Sequence, residues 1–276
     1  MARPPLSWTG LGEETADPVL LLHGFTVTHH TWDLLSSSLS TKHRVVLPDL
    51  PGHGGSASLG GMSVEATSDS LAQLLDKAGL KRVSVVGYSL GGRIALDFAC
   101  RHPGKVRALA LEGASPGIED PDERRKRRED DASLADEIEK RGINWFVDYW
   151  QDRPLFATQR ALPRDVVAAV RRDRLSNTAN GLASSLRASG PGSMTPLWSA
   201  IESLDVPVML VAGQLDQKFV ETGTAMKKRI PRSSLVEVEG AGHCVHVEKP
   251  AEFGGLLGRF LDEKAPPPRA RTGGSR

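Results

Sequence analysis

Apolar residues in this chain fall into short runs separated by longer stretches in which they recur every three or four positions. The runs Val19 to Leu22, Val45 to Leu47, Val83 to Val86, Val106 to Leu111, Val208 to Val211 and Leu235 to Val238 are rich in Val and Leu and do not alternate strictly with polar residues. That pattern predicts strands covered on both faces. Between them, Ser63 can cap a helix that carries Leu71, Leu74 and Leu75 on one side and ends near Gly79. A second helix is predicted from Leu90 through Ala99, and Pro250 opens the last one. Strand and helix in alternation predict an α/β architecture with a mostly parallel sheet flanked by helices.

From about Pro116 to Leu197 the strand signal disappears, and helical patterns follow one another, separated by Gly142, Pro154, Pro163, Gly181 and Gly190. Such an insertion between two strands would sit over the C-terminal ends of the sheet, where open α/β sheets bind ligands. The expected organisation is a core from residues 1–115 and 198–263, a helical cap from 116–197, and a tail from 264–276. The Pro, Gly and Arg of that tail offer nothing apolar to pack, so it is expected to be disordered.

Composition narrows the function without naming it. With 276 residues and a formal net charge of +1, the chain can bury one large core and carries no overall field suited to nucleic acid or an anionic membrane. Cys100 and Cys244 supply neither a disulfide framework nor metal-ligand spacing. No apolar run resembles a signal peptide or is long enough to span a bilayer, so a cytoplasmic monomer with a small-molecule partner is expected.

Candidate chemistry begins at Gly87-Tyr88-Ser89-Leu90-Gly91, which follows a Val-rich strand and precedes an apolar-periodic helix. A G-x-S-x-G turn in that context lifts a serine hydroxyl above the sheet edge and aims the next N–H at a developing oxyanion. Gly213-Gln-Leu-Asp216 and Gly240-Ala-Gly-His243 each follow a later strand directly, so Ser89, Asp216 and His243 occur in the chain order of a Ser-Asp-His triad at one sheet edge. A strand-end Asp is otherwise a helix cap, and a lone His an ordinary loop residue; the joint placement favours the triad. His246 and His23 are rival bases, but the spacing after the last strand favours His243, and His23 is expected to organise the loop behind the site. In His23-Gly24-Phe25-Thr26 the N–H of Phe25 is the second expected oxyanion donor beside that of Leu90. Pro48-Asp-Leu-Pro-Gly-His-Gly-Gly-Ser56 reads as a structural turn.

The segments Leu21-Leu-His-Gly-Phe, Asp49-Leu-Pro-Gly-His-Gly-Gly-Ser, Gly87-Tyr-Ser-Leu-Gly-Gly-Arg93, Glu112-Gly-Ala-Ser-Pro-Gly117, Asp216-Gln-Lys-Phe219 and Ala241-Gly-His243 together carry a more specific likeness. With them the chain resembles the 2-succinyl-6-hydroxy-2,4-cyclohexadiene-1-carboxylate synthase family of menaquinone biosynthesis, within the α/β-hydrolase superfamily. The tyrosine before the serine, Arg93, Ser-Pro-Gly and Asp-x-Lys-Phe discriminate best. The resemblance implies a cofactor-independent, metal-free lyase that eliminates pyruvate from a cyclohexene bearing several carboxylates. It implies Tyr88 and Arg93 as substrate contacts beside the serine, Arg127 on the first cap helix, Tyr149 or Trp150 near the substrate, and Arg174 as a further cap arginine. A guanidinium suits bidentate carboxylate binding.

Against this, Asp120-Pro-Asp-Glu-Arg-Arg-Lys-Arg-Arg128 also offers the i,i+4 pairs Glu123 with Arg127 and Arg125 with Glu129, which would make it a solvated helix face. Leu6-Ser-Trp-Thr9 is only a stub where the family carries a full edge strand. The alternatives are a serine hydrolase of the same fold, acting on an ester or a C–C bond, and a non-catalytic ligand-binding protein.

Overall fold

The computed structural model describes residues 5–264. Its strands are β1 (Trp8–Leu11), β2 (Pro18–Leu22), β3 (Arg44–Pro48), β4 (Val83–Tyr88), β5 (Val106–Glu112), β6 (Val208–Gly213) and β7 (Ser233–Val238). Its α-helices are α1 (Asp33–Leu39), α2 (Val64–Lys77), α3 (Leu90–Arg101), α4 (Pro121–Gln151), α5 (Arg164–Leu175), α6 (Ala179–Ser189), α7 (Gln217–Arg229), α8 (Val245–Glu248) and α9 (Pro250–Lys264). The strands form one sheet in the order β1-β3-β2-β4-β5-β6-β7, parallel throughout except for β1, which runs antiparallel to β3. The expected tail beyond Lys264 lies outside the described residues.

Side chains alternate along a strand, so each central strand feeds two cores. Val19 and Leu21 of β2 pack with Trp32, Phe253 and Leu257 on the α1 and α9 side. Leu20 and Leu22 pack with Leu71, Ile94 and Phe98 on the α2 and α3 side. Burial on both faces is why these strands show continuous apolar runs. The edge strand β1 is exposed along its whole length and lies at Trp8 to Leu11, two residues beyond the expected stub. It is held by backbone pairing to β3, which leaves no apolar pattern to read.

Between β5 and β6 the chain is helical. Asp120 caps α4, its carboxylate accepting the N–H groups of Asp122 and Glu123, and Pro121 fills the first helical position. At Gly142 the backbone leaves the helical region (φ 81°, ψ 174°), so α4 is two helical segments joined at a kink, at the break expected there. Gly181, expected as a break, lies inside α6, whose cap is Thr178. A side chain at position 181 would collide with the backbone of Gly52, so this glycine serves the contact between α6 and the loop after β3. Ala135, Ile138 and Phe146 of α4 meet Leu182, Ala183 and Leu186 of α6 in a separate apolar cluster.

From β2 the chain crosses to β3 on one side, while β4 lies on the other side of β2. The ends of β2 and β4 therefore flank a crevice at a topological switch point. The loops after β2, β4, β5, β6 and β7 all leave the same edge of the sheet, which brings residues 25, 89, 113, 216 and 243 together.

Candidate active site

Ser89 stands between the last residue of β4 and the first turn of α3 with φ 52° and ψ −106°, a left-handed backbone that a side-chain-bearing residue rarely adopts. The turn closes because Gly91 lets α3 approach the end of β2: a Cβ there would collide with the carbonyl oxygens of Leu22 and His23. The N–H of Ser89 donates to the carbonyl of Glu112 at 2.8 Å, tying the elbow to β5. Backbone strain that the surrounding structure holds in place clusters at working sites.

The Ser89 hydroxyl donates to Nε2 of His243 at 3.1 Å, and Nδ1–H of His243 donates to Asp216 Oδ2 at 2.7 Å. Asp216 occupies the position before α7 yet makes no side-chain cap there. Its carboxylate is spent on the histidine, so the ordinary structural role of a strand-end Asp is left unfilled. The imidazole is buried, with Tyr88 and Phe219 rings at 5.4 and 4.7 Å. Gly113 lies so close that a Cβ would stand 2.8 Å from His243 Cε1. Together the three side chains form a relay that can withdraw the serine proton.

Among the described residues, no backbone carbonyl takes up the N–H of Phe25 or of Leu90. Both residues line the cavity above Ser89, as an oxyanion site requires. The Phe25 loop is fixed from two sides. Asn177, at the end of α5, donates to the carbonyl of Thr26 at 2.9 Å, and Thr26 itself has φ 77°. Sequence reasoning did not single out Asn177; its only signal was its place in Arg174-Leu-Ser-Asn-Thr-Ala-Asn-Gly181. His23 faces away from the reacting atoms. Its Nδ1–H donates to the Gly24 carbonyl at 2.8 Å, its Nε2 accepts the Leu50 N–H at 2.9 Å, and burial holds its pKa below the usual value.

The cavity has a volume of about 270 Å³ and is bounded by Ser89 and His243 below and by the helical insertion above. Arg93, Arg127 and Lys218 line it, and among the described residues no carboxylate does. Arg93 donates to the Ser189 carbonyl at 2.8 Å; burial and the neighbouring charge of Arg127 pull its pKa down to about 10. Arg127 is held by Asp131 at 2.9 Å, in place of the expected pair with Glu123. Arg125 pairs with Asp122 rather than Glu129. Lys218 belongs to the Asp-x-Lys-Phe motif, and the first turn of α7 sets it at the cavity wall, a place its motif alone did not signal.

Three expected substrate contacts lie elsewhere. Tyr88 is the last residue of β4, and the strand's alternation sends its ring behind the site, against Gly24, His243 and His246. Trp150 lines the cavity, whereas Tyr149, one residue earlier on α4, stacks outward on Trp145 at 5.2 Å and accepts from Arg153. Arg174 is buried at a second cavity of about 280 Å³ between α4, the 3-10 segment Pro154–Ala161 and α5, stacked over Phe156 at 4.8 Å.

Comparison with known proteins agrees with this fold. The alpha/beta hydrolase fold family model matches residues 17–250. The 2-succinyl-6-hydroxy-2,4-cyclohexadiene-1-carboxylate synthase of Enterobacter sp. (strain 638) is 32% identical over 243 residues, 88% of this chain and 91% of the relative. A Bacillus subtilis (strain 168) protein that carries the same name provisionally is 40% identical over 253 residues, 91% of this chain and 92% of the relative. The solved structure of MenH from S. aureus superposes with a TM-score of 0.89 at 32% identity, covering 93% of this chain and 98% of that one. With the sheet, the Ser-His-Asp geometry and these relatives in agreement, the chain belongs to the α/β-hydrolase fold family and, within it, to the 2-succinyl-6-hydroxy-2,4-cyclohexadiene-1-carboxylate synthases.

Proposed function

We propose that this protein is the lyase that eliminates pyruvate from 2-succinyl-5-enolpyruvyl-6-hydroxy-3-cyclohexene-1-carboxylate to give 2-succinyl-6-hydroxy-2,4-cyclohexadiene-1-carboxylate. The observation that carries the reading is the charge of the cavity, where among the described residues the Ser89–His243 pair faces three cationic side chains and no anionic one. A neutral ester gains little from such a wall. A substrate with several carboxylates gains from each cation in turn.

In this reading His243, oriented by Asp216, takes the proton of Ser89, and the serine oxygen removes the acidic C–H next to the succinyl ketone. The enolate oxygen is held by the N–H groups of Phe25 and Leu90. Collapse of the enolate shifts the ring double bond and breaks the C–O bond to the enolpyruvyl group, which leaves as pyruvate. The proton on His243 is then available to the departing group. Arg93, Arg127 and Lys218 bind carboxylates and keep the ring oriented, and Trp150 packs on it. These residues act without a metal or organic cofactor. No helix among the described residues is long and apolar enough to cross a membrane, and the charged substrate suits a cytoplasmic enzyme that works as a monomer.

Incubation with the cyclohexene substrate, while pyruvate is followed with a coupled dehydrogenase, tests the proposal. Release of pyruvate by wild type and its loss in Ser89→Ala is expected. Hydrolysis of simple esters without pyruvate release would move the chain to the hydrolase alternative.

A further inference from the structure

Two segments of the site remain without a role in the mechanism: Glu112, the last residue of β5, and His246, the histidine three residues after the catalytic candidate. They are bonded to each other in the interior. Glu112 Oε2 accepts Nδ1–H of His246 at 2.8 Å, Oε1 lies 3.0 Å from the same nitrogen, and Oε1 also accepts the backbone N–H of His246 at 3.1 Å. Nε2 of His246 lies 2.8 Å from the Thr31 hydroxyl, and the ring stacks on Trp32 at 4.2 Å. Both side chains are about 1% exposed.

The other end of Glu112 reaches the serine. Tyr88 lies opposite Glu112 in the β4–β5 register, and the Glu112 carbonyl accepts the Ser89 N–H at 2.8 Å. One residue therefore touches both halves of the reacting pair, the serine through its backbone and the histidine loop through its carboxylate. The following residue, Gly113, packs directly on His243 Cε1. Glu248 holds the two residues that flank His243, accepting the N–H groups of Gly242 and Cys244 at 2.7 and 3.2 Å, while Glu112 supplies the tie that runs from this loop to the serine turn.

We propose that Glu112 is a positioning residue which, through its buried pair with His246, fixes the loop bearing His243 at hydrogen-bond distance from Ser89. The inference rests on Ser89 and His243 being the reacting pair. Burial opposes charge on His246, yet Cys244 and Glu112 beside it push its pKa up to about 10, the direction that strengthens its bond to the Glu112 carboxylate.

The test is Glu112→Gln, compared with wild type for melting temperature, for kcat and KM of pyruvate release, and for the second-order rate of Ser89 labelling by an alkyl fluorophosphonate. Labelling reads the Ser89–His243 geometry whether or not the protein releases pyruvate, so failure of the lyase reading and failure of this one remain distinct. A loose histidine predicts that kcat and the labelling rate both fall about ten- to a hundred-fold in folded protein, since misplacement by about 1 Å costs on that scale. KM should stay within about two-fold, because Arg93, Arg127 and Lys218 are untouched. The double variant Glu112→Gln/His246→Gln, in which no buried charge is left unpaired, carries the same measurements if the single variant does not fold. Its melting temperature should recover while its labelling rate stays low. Labelling and kcat within about two-fold of wild type, with only the melting temperature lowered, would overturn the proposal.

Discussion

Replacing Arg127 by alanine separates a substrate contact from a structural ion pair, because this guanidinium stands between the cavity and Asp131. Asp131 is 5% exposed, accepts Arg127 Nε–H through Oδ1, and among the described residues has no hydrogen-bond partner for Oδ2. Removing one member of a fully buried pair costs about 3–5 kcal/mol. The Arg127 side chain is 37% exposed, so solvent already screens part of the attraction, and about 1–2 kcal/mol is the expected loss of stability. Burial also raises the pKa of Asp131, which can take up a proton once its partner is gone and so limits the damage. A lost charged hydrogen bond to a substrate carboxylate costs about 1.5–3 kcal/mol, or about one to two decades in kcat/KM. The two effects are separated by Arg127→Ala/Asp131→Asn, which restores melting temperature by removing the stranded carboxylate. Its kcat/KM for pyruvate release should stay as low as that of Arg127→Ala. Recovery of kcat/KM together with stability would show that Arg127 serves the helix and not the substrate.

Ser89→Ala, His243→Ala and Asp216→Asn should each remove most activity with little change in melting temperature. The Ser89→Ala/His243→Ala double variant should be no slower than the worse single one, as steady-state kinetics would report. Gly113→Ala places a Cβ 2.8 Å from His243 Cε1 at a position with φ 55°, so kcat should fall about ten-fold or more while KM holds. The His29–Asp49 bond of 2.8 Å raises the pKa of His29, with burial opposing it. A raised folded-state pKa means stabilisation that is complete below the free value of about 6.5 and is lost as pH rises through the folded one. Melting temperature against pH should therefore decline above about pH 6.5 in wild type relative to His29→Asn, and parallel curves would refute the linkage. At the acid end, burial pushes the Asp49 carboxyl up, but the hydrogen bonds from His29 and Gly55 outweigh it and hold it well below the usual range. Its contribution is lost only as pH falls below about 4.

What could be read from the sequence followed from burial. Strands β2 and β4 to β6 are enclosed by helices on both sides, and their Val and Leu runs announced them. β1 pairs with β3 at the sheet's edge and buries none of its side chains fully, so no apolar run marked its two-residue offset. The elbow, Asp216 and His243 were legible because parallel strands deliver their following loops to one edge, whatever the distance along the chain. Cap residues were not, because on a helix one step turns a side chain by about 100°. That step puts Trp150 on the cavity wall and Tyr149 outside. Arg127 has acidic residues on both sides at i,i+4 spacing, Glu123 and Asp131, and periodicity cannot choose between them. The choice is made by the buried place that Asp131 holds against Gly190.

The remaining question is what Ser89 does after losing its proton, since the same relay serves hydrolysis. A hydrolase must bond the serine oxygen to a carbonyl carbon, and the acyl-enzyme then takes its second oxygen from water. The lyase route makes no bond between enzyme and substrate, because the serine oxygen only carries a proton. Both routes use the same oxyanion donors, so the geometry at Phe25 and Leu90 does not separate them; the charges of Arg93, Arg127 and Lys218 on the cavity wall favour a polycarboxylate substrate and with it the elimination. Turnover in oxygen-18 water should leave the product carboxylates unlabelled, with the ketone of pyruvate sampled early because it exchanges with water unaided. Intact-protein mass spectrometry during turnover should show no added mass. A Ser89 adduct that forms and decays at the rate of turnover, or label entering a product carboxylate, would refute the elimination and make the serine a nucleophile.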